Sequence, residues 1–396
     1  MGDRDDEIRR FLEPERIGVL RVVPGIIAGG LALLVLVGVY VLRPTGEERP
    51  DLSVIGINAR VYEAVVESTT DAPCQANTEL QCVEVGFRLT GGPDVGTVIP
   101  MTFVVSETSP AFAVGERVVL NYQEGAELQF RYGYADRQRR PVLLWLAVAF
   151  AVVVVILGRM RGFAALLGLG ASVVVLLQFV IPAILDGRNP VLVAVVGSGA
   201  IAYLALYAAH GFTRMTTVAL LGTLVALGLT AILSWLVVEA AQFSGLTVDE
   251  AFIITIAGSF DLSGLILAGV VLGALGAIDD ITVTQASTVW ELHALRPDLG
   301  RRGLVRSAMK VGRDHVASTV NTLLLAYAGA AMPLLLFFVL AGQSIGTILN
   351  SEIVAVEVVR TLVGSIGLVA AVPITTWLSA AFVSLGVGES LGRPAA

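Results

Sequence analysis

Apolar runs long enough for a lipid bilayer recur along this chain, and they constrain its fold more than any other feature. Candidate spans are residues 22–42, 142–157, 163–185, 191–209, 218–238, 262 to about 290, 316–340 and 353–382. An α-helix rises ~1.5 Å per residue, so about 20 residues cross a hydrocarbon core ~30 Å thick. Composition agrees, with 55% of the 396 residues hydrophobic, 15% charged and a mean hydropathy of +0.80. The expected fold is a membrane α-helical bundle of about eight transmembrane helices, since helices satisfy their own backbone in lipid. The first partner is therefore the lipid bilayer. A net charge of −7 argues against nucleic acid as another, because no basic surface of useful size stands out.

Residues 1–21 are polar and carry Arg4, Arg9, Arg10, Arg16 and Arg21 ahead of the first apolar run. No small-x-small cleavage site follows that run, which favours an uncleaved signal anchor over a removed signal peptide. If the spans alternate, Arg159, Arg161, Arg214, Arg296, Arg301, Arg302, Arg306, Lys310 and Arg313 all fall on the N-terminal side. The positive-inside rule then puts 1–21 and the tail 386–396 in the cytoplasm, with 141–385 as the helical domain in the membrane. Arg137, Arg139 and Arg140 belong to a translocated domain, where that rule is weak. The opposite loops hold Glu239, Asp249, Glu250, Asp261 and Glu352. They read either as an acidic rim that concentrates cations or as ordinary loop charge.

Residues 43–140 change character. Runs at 57–65 and 83–89 alternate polar and apolar side chains, the mark of half-buried strands. Turn signals stand at Gly91-Gly92-Pro93-Asp94 and at Val114-Gly115-Glu116. About five short strands suggest a small extracytoplasmic all-β domain, an OB-like barrel or a sandwich, inserted after the first helix. Cys74 and Cys82, the only cysteines, are expected to form a disulfide outside the cytoplasm, with two free loop thiols as the alternative.

Polar chemistry inside the apolar runs concentrates between Gly269 and Glu291. Gly269, Gly273, Gly276, Asp280, Thr284, Ser287 and Glu291 follow by steps of three or four and so share one helix face. The glycines are helix-packing candidates, and Asp279 and Asp280 are proton or cation relay candidates, because acids inside membrane helices are costly. The alternative is that the span ends at Ile278 and both acids face water. Glu357 and Arg360 are i, i+3 on the last span, either as members of the relay or as a structural ion pair. Arg360 is also a candidate partner for Asp280. Thr284, Gln285, Asn321 and Thr375 are polar lining candidates, and Asn321 reads equally as a packing hydrogen-bonder. Pro333 should free a carbonyl one turn back, and Pro373-Ile374-Thr375-Thr376 should offer a break lined with hydroxyls. His210, at a span end, is assigned no role.

Enzyme templates fail. There is no phosphate-binding Gly-Lys-Ser/Thr loop, no His-Glu-x-x-His and no Gly-x-Ser-x-Gly, and a two-helix aspartyl protease lacks its second membrane Asp. No catalytic residue, cofactor or metal site is expected. The leading expectation is a permease-like protein coupled to a proton or cation, acting on a small solute or ion. The alternative is a non-transporting envelope-assembly or protein-export accessory whose β domain binds an envelope protein. A homo-oligomer is left open.

Several motifs in order carry a resemblance. Gly276-Ala-Ile-Asp279-Asp280, Gly312-Arg313-Asp314 with Asn321-Thr322-Leu, Ala326-Tyr327-Ala328-Gly329, and Val363-Gly364-Ser365-Ile366-Gly367 leading to Val372-Pro373 together resemble the YibE/F-like family of bacterial membrane proteins. The likeness runs from about residue 57 and is strongest after Asp249. It implies a multi-span membrane protein. The last three spans are also similar in pattern to the closing helices of RND-type proteins such as the SecDF export accessory. That likeness implies that Asp279 or Asp280 relays protons.

Overall fold

The structure is a computed structural model that describes residues 3–46, 60–74, 81–106, 109–246 and 261–383. The chain forms two compact units, Pro50–Val153 and, together, Met1–Arg49 with Val154–Ala396.

In the first unit, strands β1 (Val61–Pro73), β2 (Gln81–Leu89), β3 (Val98–Val104), β4 (Arg117–Tyr122) and β5 (Tyr132–Arg137) form one antiparallel sheet in the order β3-β2-β1-β4-β5. A single turn, α2 (Leu128–Arg131), precedes β5. Of the strand expected at 57–65, residues 57–59 lie outside the described residues, and 61–65 open β1. Alternation sends Val85, Phe87 and Leu89 of β2 into the core, where they meet Ala64, Val66, Val118 and Leu120. Phe87, Phe103, Phe112 and Tyr134 pack against one another with ring centroids 4.8–6.3 Å apart. Cys74 and Cys82 are joined as a disulfide, with Cα atoms 5.2 Å apart, beside the far end of the β1–β2 pairing.

Helix α1 (Asp3–Val41) begins well before the apolar run at residue 22, so 22–41 is the end of a longer helix rather than a separate element. Next, α3 (Arg140–Val175) runs through a π turn at Leu176–Val180 into α4 (Ile181–Leu185). These 46 residues would measure ~69 Å if straight, over twice the hydrocarbon thickness. They are not straight. Arg159 takes φ 52° and ψ −133°, breaking the helix where the sequence suggested a loop. A Cβ at Gly162 would strike the Val154 carbonyl oxygen, so the sharp break needs glycine there.

The remaining helices among the described residues are α5 (Pro190–His210), α6 (Arg214–Ala241), α7 (Leu262–Leu295), α8 (Arg301–Ala330), α9 (Met332–Leu340), α10 (Ile345–Asn350) and α11 (Glu352–Phe382). Among the described residues six helices are long and apolar enough to cross a membrane, or seven if α8 and α9 count as one span bent by 61°. The bend has a cause: Pro333, in the first turn of α9, has no N–H to continue the ladder. Pro373 does not have that effect, and α11 runs unbroken through it, contrary to the expected break.

α7 is the central helix. Its Ala268, Val271, Ala274, Leu275, Ile278 and Ile281 share a core with residues of α5, α6 and α11. Close approach depends on small residues. A Cβ at Gly367 of α11 would collide with the Thr230 hydroxyl of α6. Of the acidic loop residues, Asp249 and Glu250 lie outside the described residues. Asp261 caps α7 by accepting from Gly264 N at 2.8 Å, and Glu352 accepts from Gly245 N at 2.6 Å and from the Ser244 hydroxyl at 2.8 Å. Those two acids are engaged locally rather than presented as an open rim.

Candidate functional site

Helix α7 continues through Asp279 and Asp280 to Leu295, with no stop at Ile278. Neighbouring residues on a helix point ~100° apart, so the two carboxyls leave α7 in different directions.

Asp279 turns toward α6. Its Oδ1 lies 3.5 Å from the Thr223 hydroxyl, which is 2.7 Å from the Thr282 hydroxyl. Thr282 also reaches the Asp279 carbonyl oxygen at 3.0 Å, and Thr223 the Ala219 carbonyl at 3.2 Å. Two hydroxyl protons thus serve more acceptors than they can fill together, and the chain Thr282→Thr223→Asp279 is one way to share them. Beside Asp279 lies a cavity of about 400 Å³ walled by Leu169, Leu176, Ile201, Leu206, Leu272 and Leu275. Its ionisable lining residues are Asp279 and His210. The histidine given no role from sequence therefore shares a cavity with the acid.

Asp280 is exposed, its side chain 69% accessible, with Oδ2 3.6 Å from His315 Nε2 of α8. Arg360 is not its partner. Arg360 Nη1 lies 3.0 Å from Glu357 Oε1, and Nη2 stands 3.4 Å from where a Cβ on Gly269 would be. Eleven residues separate Gly269 from Asp280, ~16 Å along the axis, too far for contact. The reason is that Arg360 belongs to the opposite end of α7's glycine face.

Along that face, a Cβ at Gly273 would stand 3.0 Å from the Tyr327 hydroxyl, while Gly276 has open space. Gly269 and Gly273 thus admit the polar ends of Arg360 and Tyr327, and not only a helix backbone.

The other polar candidates scatter. Gln285 is fully buried, and its Oε1 accepts from the Thr376 hydroxyl at 3.0 Å. Its Nε2 has no partner among the described residues and presses on Gly312 of α8. Thr375 is likewise buried with an unpartnered hydroxyl, against Gly222 of α6. Thr284 is half-buried, and Asn321 is exposed on α8 rather than packed between helices.

Sequence reading missed Thr223, Thr282, His210 and His315. One signal was present. Thr216, Thr223 and Thr230 recur every seventh residue, two turns of α6, and all three are fully buried.

A family model described as YibE/F-like protein matches residues 146–385, more than half of the chain. The chain belongs to the YibE/F-like family. The match takes in α5 to α11, hence the Asp pair of this YibE/F-like chain and its surroundings, and begins after the sheet. No curated protein and no solved structure matches the chain. The likeness of the closing helices to RND-type proteins stays one of sequence pattern.

Proposed function

We propose that the chain is a permease-type protein of a bacterial cytoplasmic membrane, coupled to a proton or cation that Asp279 carries. The observation that supports this is the cavity of about 400 Å³ whose apolar walls end in one carboxyl and one imidazole, Asp279 and His210. An ionisable group in an apolar surround at membrane depth is costly unless it is used, and an acid and a base that line one cavity can hold and pass on one proton. Asp280 with His315 would exchange that proton with the cytoplasmic side. Glu357 and Arg360 would balance charge nearer the outer side, and Thr284, Gln285, Asn321 and Thr375 would contribute polar lining.

The topology proposed has eight spans. The break at Arg159 divides the 46-residue stretch into two segments, each able to cross, and α8 with α9 forms one bent span. An even number leaves both termini on one side, which the basic loops make the cytoplasm, and the sheet, an OB-like fold open between β3 and β5, outside. The test is proteoliposomes carrying a pH-sensitive dye. Asp279→Asn should abolish proton-linked flux and Asp280→Asn reduce it, both variants eluting as folded protein. Parental flux from folded Asp279→Asn sinks the proposal.

One observation favours a second reading, an envelope or export accessory. β3 and β5 end the sheet as edge strands, and an edge can add a strand from a partner. That reading predicts no flux from any variant and loss of a partner when the β3 edge is blocked.

A further inference from the structure

The acidic net charge of the chain conceals a basic face. Arg302, Arg306, Lys310 and Arg313 follow on α8 by steps of four, four and three, and all are exposed. They fall within a sector of ~80° around the helix. The opposite side is fixed: Leu304 and Ala308 are fully buried in a cluster with Val289, Ala380 and Val383, and Gly312 is pinned under Gln285 and Val372. Arg301, beside the stripe, is held over the Trp377 ring at 4.9 Å. The four cations therefore face outward with no freedom to turn in.

Several arginines elsewhere close on carboxylates, Arg60 on Glu124, Arg88 on Glu67, Arg131 on Asp94 and Arg296 on Asp298, though Arg117, Arg159, Arg161 and Arg214 have no ion pair among the described residues. None of the four stripe residues has an ion pair among the described residues. Asp298 is taken by Arg296, and the remaining acids close by in sequence, Asp314 and Glu291, are exposed and too few to neutralise the stripe.

α8 then continues without a break into Val316, Val320 and Leu323, which pack on the helical core. The stripe is ~16 Å long and begins where the apolar half of the helix ends. Headgroups occupy ~5–7 Å of each leaflet, and charge is felt for a further ~8–10 Å. Arg306, Lys310 and Arg313, within ~15 Å of Val316, lie in that range, and Arg302 lies at its outer edge. A second copy presenting the same face would be repelled by like charge.

We propose that this face of α8 binds the phosphate headgroups of anionic lipids in the leaflet it leaves. The inference needs α8 to cross the bilayer but does not depend on transport, and it reads the same for either orientation in a vesicle.

The test uses the full chain with Ala317→Cys, one turn beyond Arg313, labelled with a fluorophore. Cys74 and Cys82 are bonded to each other and leave the new thiol to react alone. The protein is reconstituted in phosphatidylcholine with one-fifth phosphatidylglycerol, brominating one lipid or the other. At equal mole fraction, brominated phosphatidylglycerol should quench about two-fold more than brominated phosphatidylcholine, and raised salt should erase the difference. With Arg302, Arg306, Lys310 and Arg313 all changed to Gln, the two should quench equally. The variant with Lys at all four positions should keep the preference, and it carries the test if the neutral one fails to fold. Equal quenching in the parent or in the four-Lys variant overturns the proposal and leaves the stripe to an acidic protein. A preference that survives neutralisation overturns it too.

Discussion

In the sheet the buried side chains are Ala64, Val66, Val85, Phe87, Leu89, Ile99, Val118, Leu120 and Tyr132, with the two bonded cysteines beside them. Every side chain classed as buried and polar among the described residues lies instead in the helices, from Ser198 to Ser379. The outer surfaces are reversed as well. Charged pairs such as Arg60–Glu124 cover the sheet, while Trp235, Leu236, Ile232 and Leu229 stand exposed on α6. The difference follows from the solvent. In water, apolar burial drives folding, whereas between helices in lipid it gives nothing, and close packing with interhelical hydrogen bonds remains.

That contrast can be broken at one residue. Gly312→Leu places a side chain where Gln285 and Val372 already stand, so the α7–α8 contact cannot form. Folded protein recovered as a single peak in gel filtration should fall several-fold, while Gly276→Leu, with open space, should be recovered normally. In the sheet the largest effect should come from Phe87→Ala, which removes the ring at the centre of the aromatic cluster. A loss of about 3–5 kcal/mol is expected, read as faster amide exchange in β1 and β2 with the helices unchanged.

A buried hydroxyl should matter much less. Thr282→Val removes the partner of Thr223 but leaves it the Ala219 carbonyl, so about 0.6 kcal/mol is expected, and no more than about 1.7. Thermal unfolding in detergent measures it. A loss as large as that of Phe87→Ala would show that the two cores are held together alike.

The smallest effect is one of pH. The Tyr132 hydroxyl, donating at 2.8 Å, and then Arg131, at 3.1 Å, hold the Asp94 carboxyl below the usual carboxylate range. Burial first, and Asp94 second, push the Tyr132 hydroxyl above its own. A depressed acid stabilises the fold at and above its ordinary value and loses that contribution as pH falls through the lowered one. Below about pH 4 the sheet should therefore soften, and Asp94→Asn should flatten that slope while lowering stability at neutral pH. Amide exchange at β5 across the acid range gives the comparison.

Much of this was legible in the residues. Strand alternation around Val85, Phe87 and Leu89 and the apolar runs of α5, α6, α7 and α11 follow directly from side-chain periodicity. Pro333 marked a real break, and the gap between the apolar runs 142–157 and 163–185 marked another at Arg159, though no residue type there announces its positive φ. The site was harder for a specific reason. Helical spacing grouped Asp280 with Gly269 but could not say which neighbour met which end, and so Arg360 was placed opposite the wrong carboxyl. His210 and Asp279 line one cavity between elements far apart in the chain, and sequence distance carries no trace of that.

The adjacency of the two acids has a geometric consequence. Along the axis of α7 the carboxyls are separated by ~1.5 Å, yet around it by ~100°. One bearing looks to Thr223, the other to His315. Whatever passes between them goes round the circumference of the helix, not down its length. The bearing between the two belongs, one turn up, to Gly276, where nothing stands within 4 Å of the missing Cβ. The distance to be crossed is then set by the girth of a single bare helix, and a side chain grown at Gly276, i, i+3 and i, i+4 to the two acids, would stand in that path.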